Sequence, residues 1–224
     1  MKKYIAFVLF LFAAVAFAQD QNRSVVNVNG TGTVTVVPDK VVIRARVEHT
    51  AKSAAAAKAQ NDKVVDEVIT FLKAQGIPSK NFQTEYINLN KDYNYNTKEV
   101  SYSANQAISI LLEDLDQYET LMSGLLNSGL NRIDGIQFQS SKKKELESEA
   151  RKKAVLNARK KAEEFATALG QKIGKAHSIS EQEGGMFPPM YRTMEMASDS
   201  AEKQTIAPGE MEITVKVNVQ FLLL

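Results

Sequence analysis

Four methionines carry the most specific chemistry in this sequence. Met186, Met190, Met194 and Met196 follow one another at steps of four, four and two residues, and their thioethers are soft donors suited to Cu(I). Gly184-Gly185 and Pro188-Pro189 place them in an irregular loop, where the same side chains serve equally as adaptable apolar groups or oxidisable surface groups. Tyr93 and Tyr95 form a second set. Of the tyrosines crowded at Tyr86, Tyr93, Tyr95 and Tyr102, strand propensity accounts for the first and last. The middle pair offers apolar area with a polar tip, the chemistry of an interface. The third set closes the chain. Val219-Gln220-Phe221-Leu222-Leu223-Leu224 is an apolar terminal strand that is hazardous as an open edge. Phe221 and Leu222 therefore need either another strand of the same sheet or another subunit to cover them.

Other chemistries find no anchor. Gly30-Thr31-Gly32 lacks the third glycine of a phosphate loop and is followed by a strand-like run instead of a helix, so the glycines mark a bulge or a close backbone approach. His49 and His177 are the two histidines and neither has a catalytic or metal-binding spacing around it. Lys142 to Lys144, Arg151 to Lys153 and Arg159 to Lys161 set nine basic residues against Glu145, Glu147, Glu149, Glu163 and Glu164. On a helix these pair with one another and face solvent. No aromatic residues interleave with them, which disfavours nucleic acid as a partner. With no paired acid and base and no activated nucleophile, the expectation is a protein that is not an enzyme and holds no resident cofactor.

Periodicity supplies the elements that must position these residues. Ser24 to Val37 and Lys40 to Glu48 are β-branched or alternating runs broken at Pro38-Asp39, the pattern of a hairpin. In the second run Val41, Ile43, Ala45 and Val47 share one face, and Val42, Arg44, Arg46 and Glu48 the other. Ser53 to Ala74 changes to helical spacing and stops at Gly76-Ile77-Pro78. Phe82 to Asn90 and Val100 to Glu113 read as strands joined by the polar stretch Lys91 to Glu99. A second helix follows, with Asp116 and Glu119 as a capping-box pair and Gly129 as its stop, and then a strand at Ile133 to Ser140. The endings Leu72-x-x-x-Gly76-Ile77 and Leu125-x-x-x-Gly129-Leu130, each followed by a Phe-Gln strand, look like a repeated strand-helix-strand unit. Lys142 to Gly170 is the longest helix, with Leu146, Ala150, Ala154, Ala158, Ala162, Ala166 and Leu169 in a mostly four-residue stripe, whose alanines permit close backbone approach. Strands near Ala176 to Glu181 and Met211 to Phe221 flank an irregular loop at about 183–207.

Residues 1–18 have the pattern of a cleavable secretory leader: Lys2-Lys3, the apolar run Tyr4 to Ala16 and then Ala16-Phe17-Ala18, leaving Gln19 first. The run is short for a ~30 Å hydrocarbon core. The 224-residue chain has no cysteine, which excludes disulfides, thiolate chemistry and lipid attachment at a cysteine. Its net charge of +2 includes Lys2 and Lys3, so the processed chain is close to neutral and makes no global demand for an anionic partner.

Val28-x-Gly30-x-Gly32, Pro38-Asp39, Asn61, Gly76-Ile77, Thr84, Gly129 and Gly135-Ile136-x-Phe138 then take on a shared meaning. With Ala154-x-x-x-Ala158-x-x-Lys161-Ala162, Ala166-x-x-Leu169-Gly170-x-x-Ile173-Gly174, Pro208-Gly209 and Val217-x-Val219-x-Phe221, the ordered set resembles the SIMPL-domain family. That resemblance implies an α+β fold and an envelope address. Bacterial members are mostly periplasmic or envelope-associated, some immunogenic and some connected with protection against oxidative stress, and an animal relative binds a signalling kinase. The family has no agreed catalytic residues to carry over.

The expected fold is α+β, with repeated strand-helix-strand units and helices packed against an antiparallel or mixed sheet. Residues 19–224 then form one SIMPL-like domain built from two interleaved subdomains. The expected function is that of a periplasmic or secreted envelope protein, with outer-membrane association left open. It acts as a homo-oligomer or through partner contacts, with a link to oxidative-stress defence. The alternative is Cu(I) or small-molecule handling by the methionine loop.

Overall fold

The computed structural model describes residues 24–182 and 206–224, and it is an α+β fold. The described chain divides into two compact units. One is built from residues 24–34, 145–182 and 213–224, the other from residues 35–144 and 206–212.

The second unit holds the larger core. Strands β2 (Lys40–Ala51), β3 (Phe82–Asn94), β4 (Glu99–Leu112) and β5 (Arg132–Gln139) make a four-stranded antiparallel sheet in the order β3-β4-β2-β5. The alternation read in β2 is realised: Val41, Ile43, Ala45 and Val47 are fully buried. Against them pack Val65, Val68 and Leu72 of helix α1 (Ala54–Ala74) and Leu121, Met122 and Leu125 of helix α2 (Tyr118–Asn127), with Ile108, Ile110 and Leu112 of β4 completing the core.

Each helix is stopped in the same way. Gly76 at φ 76° lets the Ile77 N–H turn back to the Leu72 carbonyl at 3.1 Å, and Gly129 at φ 88° lets Leu130 do the same to Leu125 at 3.0 Å. These are the Schellman closures expected of the repeated Leu-x-x-x-Gly signature. Helix α1 is opened by Ser53, whose Oγ accepts from the Ala56 N–H at 3.2 Å. The capping box expected at Asp116 and Glu119 does not form. Asp114 instead accepts from the Asp116 N–H at 3.1 Å and starts a short 3-10 turn, Leu115–Gln117, so α2 begins one turn later without a side-chain cap. Asp114, the earlier acidic side chain, reaches forward to the first free N–H of the turn, that of Asp116.

Asn61 is the one polar residue of α1 turned into this core, only 2 % exposed. Its Nδ2 donates to the Val47 carbonyl at 2.7 Å and to the Ala104 carbonyl at 3.1 Å, tying the helix to two adjacent strands.

The first unit contains strands β1 (Val25–Val36), β6 (Ile173–Glu181) and β7 (Met211–Leu223) in the order β1-β7-β6, with helix α3 (Lys143–Ala168). The alanines of the stripe face inward, Ala150, Ala154, Ala158, Ala162 and Ala166 all being at most 1 % exposed, whereas Leu169 lies past the helix end at Ala168 and is exposed. Here the glycines of β1 find their reason. A methyl at Gly30 would stand 2.0 Å from the Ala154 carbonyl oxygen, and one at Gly32 would stand 2.0 Å from that of Ala150. Backbone thus lies on backbone, and the Thr31 N–H donates to Asn157 Oδ1 at 3.1 Å between the two contacts.

The expected hairpin of β1 with β2 is not present. The two strands belong to different sheets, because period-two patterning identifies a strand without choosing its neighbour. The chain crosses over at Pro38-Asp39, where the Asp39 N–H donates to the Gln139 carbonyl at 3.1 Å and its carboxylate accepts from the Ser141 N–H at 2.7 Å.

Candidate functional site

The most distinctive surface of the second unit is the arm made by β3 and β4. Pairing of β4 with β2 ends at Ala51 opposite Tyr102, but β3 and β4 continue through Asp92 opposite Ser101, Tyr93 opposite Val100 and Asn94 opposite Glu99. Among the described residues the outermost pairs are therefore a two-stranded ribbon without a third strand. A bare ribbon is marginally stable in water, and this one carries its own supports. Asn94 Oδ1 accepts from the N–H groups of Asn96 at 2.9 Å and Thr97 at 3.2 Å, and Lys98 closes the turn at φ 56°. Tyr93 and Tyr95 meet edge to face with ring centroids 5.0 Å apart.

Both tyrosines nevertheless face solvent, Tyr93 at 48 % and Tyr95 at 85 % exposure. Along the same arm Ile87, Leu89 and Val100 are exposed apolar residues. Helix α1 lies over β2 and β4, leaving β3 at the sheet edge with Ile87 and Leu89 bare. The tyrosines were readable from composition. Ile87 and Leu89 were missed, because their alternation is that of an ordinary buried strand face and the sequence does not show where the covering helix stops.

Charged side chains link β2, β3 and β5 in this sheet. Arg46 donates to Asp134 Oδ2 from Nε at 2.8 Å and from Nη2 at 2.6 Å, and this bonding raises the Arg46 pKa. Arg132 reaches Glu48 and Asp134, each at 3.3 Å, and Arg44 lies 3.6 Å from Glu85. The Arg46 guanidinium also sits 5.8 Å from the Tyr86 ring centre, within cation–π range. Three arginines face three carboxylates in this network, and it joins the strands.

A family model described as "SIMPL: Protein of unknown function (DUF541)" matches residues 26–221. The chain belongs to the SIMPL family. Among its relatives, the "Uncharacterized protein YggE" of Escherichia coli (strain K12) is 30% identical over 200 residues, covering 87% of this chain and 81% of that protein. The "26 kDa periplasmic immunogenic protein" of Brucella melitensis biotype 1 is 30% identical over 230 residues, covering 94% and 90%. The human "Interleukin-1 receptor-associated kinase 1-binding protein 1" is 27% identical over 212 residues, covering 91% and 78%. The shared ground is nearly the whole SIMPL chain.

The remaining sequence candidates find these places in the SIMPL fold. Met186, Met190, Met194 and Met196, like the leader at residues 1–18, lie outside the described residues. Phe221 is buried, and it and Leu222 belong to β7, the middle strand of its sheet. The terminal strand is therefore not an open edge, and the cover it needs comes from β1 and β6. The basic clusters of α3 are tethered in large part: Arg151 to Glu181 at 2.6 Å, Arg159 to Glu163 at 2.9 Å, and Lys161 to the Asn29 carbonyl at 2.8 Å. His49 lies in the second unit with Nδ1 buried and unpartnered, and His177 is exposed on β6 in the first. Among the described residues no three of His, Cys, Asp or Glu group as a metal site, and no helix is long and apolar enough to cross a membrane.

Among the described residues three carboxyls have lowered pKa values. Hydrogen bonds from Lys40 and Asn81 pull Glu113 down, and the Arg151 guanidinium does the same to Glu181. For Asp39 burial pushes upward, but the hydroxyl and N–H of Ser141 outweigh it. A carboxyl whose folded pKa lies below its unfolded value contributes stability above the unfolded value and loses it as pH falls through the folded one. The urea midpoint is thus expected to hold down to about pH 5 and to fall below about pH 4. Lys40→Met should flatten that fall, and an unchanged acid slope in the variant would remove Glu113 from the account.

Proposed function

We propose that this SIMPL protein is an exported periplasmic protein that works without catalysis, through contacts with further copies of itself or with envelope partners, in oxidative-stress defence. The observation that carries this reading is the β3–β4 arm, on which Ile87, Leu89, Tyr93 and Tyr95 are all exposed. Single exposed apolar residues are ordinary, whereas several on one arm favour a contact surface. The periplasmic address is supported by the name of the Brucella relatives and by the leader pattern at residues 1–18. The envelope role extends to this chain what the family resemblance implies.

The test uses the full chain in its bacterial host. Osmotic shock should release a species whose intact mass begins at Gln19, and light scattering should give a multiple of the monomer mass that rises with concentration. Deleting the gene should lower survival of a peroxide challenge, and the full chain should restore it. A product retaining Met1 overturns export, and a monomer at every concentration overturns self-association. Unchanged survival overturns the stress role, and recovery with outer-membrane vesicles instead of the shock fluid overturns the soluble periplasmic address.

A further inference from the structure

The two edges of the four-stranded sheet are built differently. An edge strand offers unpaired backbone groups to any other strand, and proteins guard such edges with charges, prolines or bulges. At one edge, β5 carries Arg132 and Asp134 with Gly135, and its register with β2 shifts at Arg44/Ala45. At the other, β3 has its one bulge between Thr84 and Tyr86, and beyond it Tyr86-Ile87-Asn88-Leu89-Asn90 contains neither charge nor proline. Among the described residues no strand pairs with the outer side of β3.

The order of residues in β3 is self-complementary in one direction. If two β3 strands run antiparallel about a two-fold axis through Asn88, Ile87 of each copy stands opposite Leu89 of the other, and Tyr86 opposite Asn90. Directly opposed apolar pairs of this kind each stabilise a sheet by a fraction of the strand-pairing energy. The uncharged stretch is flanked by Glu85 at one end and Lys91 at the other. Antiparallel pairing brings Lys91 of each copy to the end where the other has Glu85. Parallel pairing would place Glu85 beside Glu85 and Lys91 beside Lys91.

We propose that two copies of this chain pair β3 to β3, antiparallel about Asn88, joining their four-stranded sheets into one continuous sheet. This rests on the self-association reading above and names its surface. A two-fold interface uses the same patch on both subunits, which a strand complementary to itself satisfies. Each copy's β3 gains the hydrogen-bonding neighbour it lacks, and Ile87 and Leu89 gain apolar cover.

The absence of cysteine from the chain makes the test clean. A residue on the axis faces its own counterpart at ~4.5–5.5 Å between Cα atoms, within disulfide range. Asn88→Cys in the full-length protein, treated with diamide, should form a covalent dimer roughly tenfold faster than Ile133→Cys on the β5 edge. In a separate variant, Ile87→Lys with Leu89→Lys should halve the native mass while leaving the circular dichroism spectrum unchanged, since both side chains are exposed. Equal crosslinking at the two edges, or a double variant of undiminished mass, overturns the β3 pairing while leaving self-association standing. A wild-type protein that is monomeric throughout overturns both.

Discussion

Gly30→Ala is expected to destabilise the protein by about 3 kcal/mol, lowering the thermal midpoint by roughly 6–12 °C for a chain of this size. The added methyl would lie 2.0 Å from the Ala154 carbonyl oxygen and 2.8 Å from the Ala158 methyl. The first of these contacts is with backbone, which cannot rotate away. Either β1 moves off α3 or the helix bends, and both changes open the contact lined by Val28 and Val34. Trimming the helix should not help much: Ala158→Gly removes the second clash and leaves the first. Thr31→Ala is the matched control, since Thr31 faces outward and its contact with Asn157 is made by the backbone N–H. Urea melts of the three variants decide the matter, and a wild-type midpoint for Gly30→Ala would show that β1 and α3 are not held together at this point.

Asn61→Leu is expected to cost a similar amount, about 2–4 kcal/mol, although leucine fits a buried helical position in size and apolarity. The loss comes from the Val47 and Ala104 carbonyls, whose donor disappears while both stay buried. Asn61→Asp separates this cause from loss of packing. At neutral pH it sets a carboxylate against two carbonyl oxygens and should be the worse variant. Protonation then supplies a donor, so its deficit relative to wild type should shrink as pH falls toward about 4. A deficit of Asn61→Asp that stays constant from pH 7 to about pH 4 would mean that the two hydrogen bonds are not what Asn61 contributes.

These two residues also mark what the sequence made legible. Gly76 and Gly129 declared helix ends because only glycine suits the left-handed turn each helix needs, a requirement local to a few residues. Gly30 and Gly32 and the alanine stripe each suggested close approach, and the structure supplies what no local pattern contains, namely that each is the other's partner. Strand pairing was the weakest part for the same reason. The alternation in β2 correctly divided buried from outward residues, yet its neighbours β4 and β5 lie far along the chain, while the adjacent β1 belongs elsewhere. Asp116 does not cap α2 because Asp114, two residues earlier, accepts from the Asp116 N–H and draws Asp116 into the 3-10 turn. At the candidate site, the tyrosines announced themselves by type, but the bareness of Ile87 and Leu89 depends on the reach of α1.

The place of β7 bears on the order in which the molecule can be made. Its sheet has the chain's first described strand on one side and β6 on the other, with the last strand of the sequence between them. The residues that fill that central position are made after β1, α3 and β6, so the sheet waits for its middle strand during synthesis. At ~5–20 residues per second, the 35–144 segment is complete several seconds before the first unit has its middle strand. Until then β1 lacks its strand neighbour and has only its contacts with α3 to hold it. Closure of the first unit is thereby tied to the arrival of β7, and its two outer strands stay without their common neighbour until that strand is made.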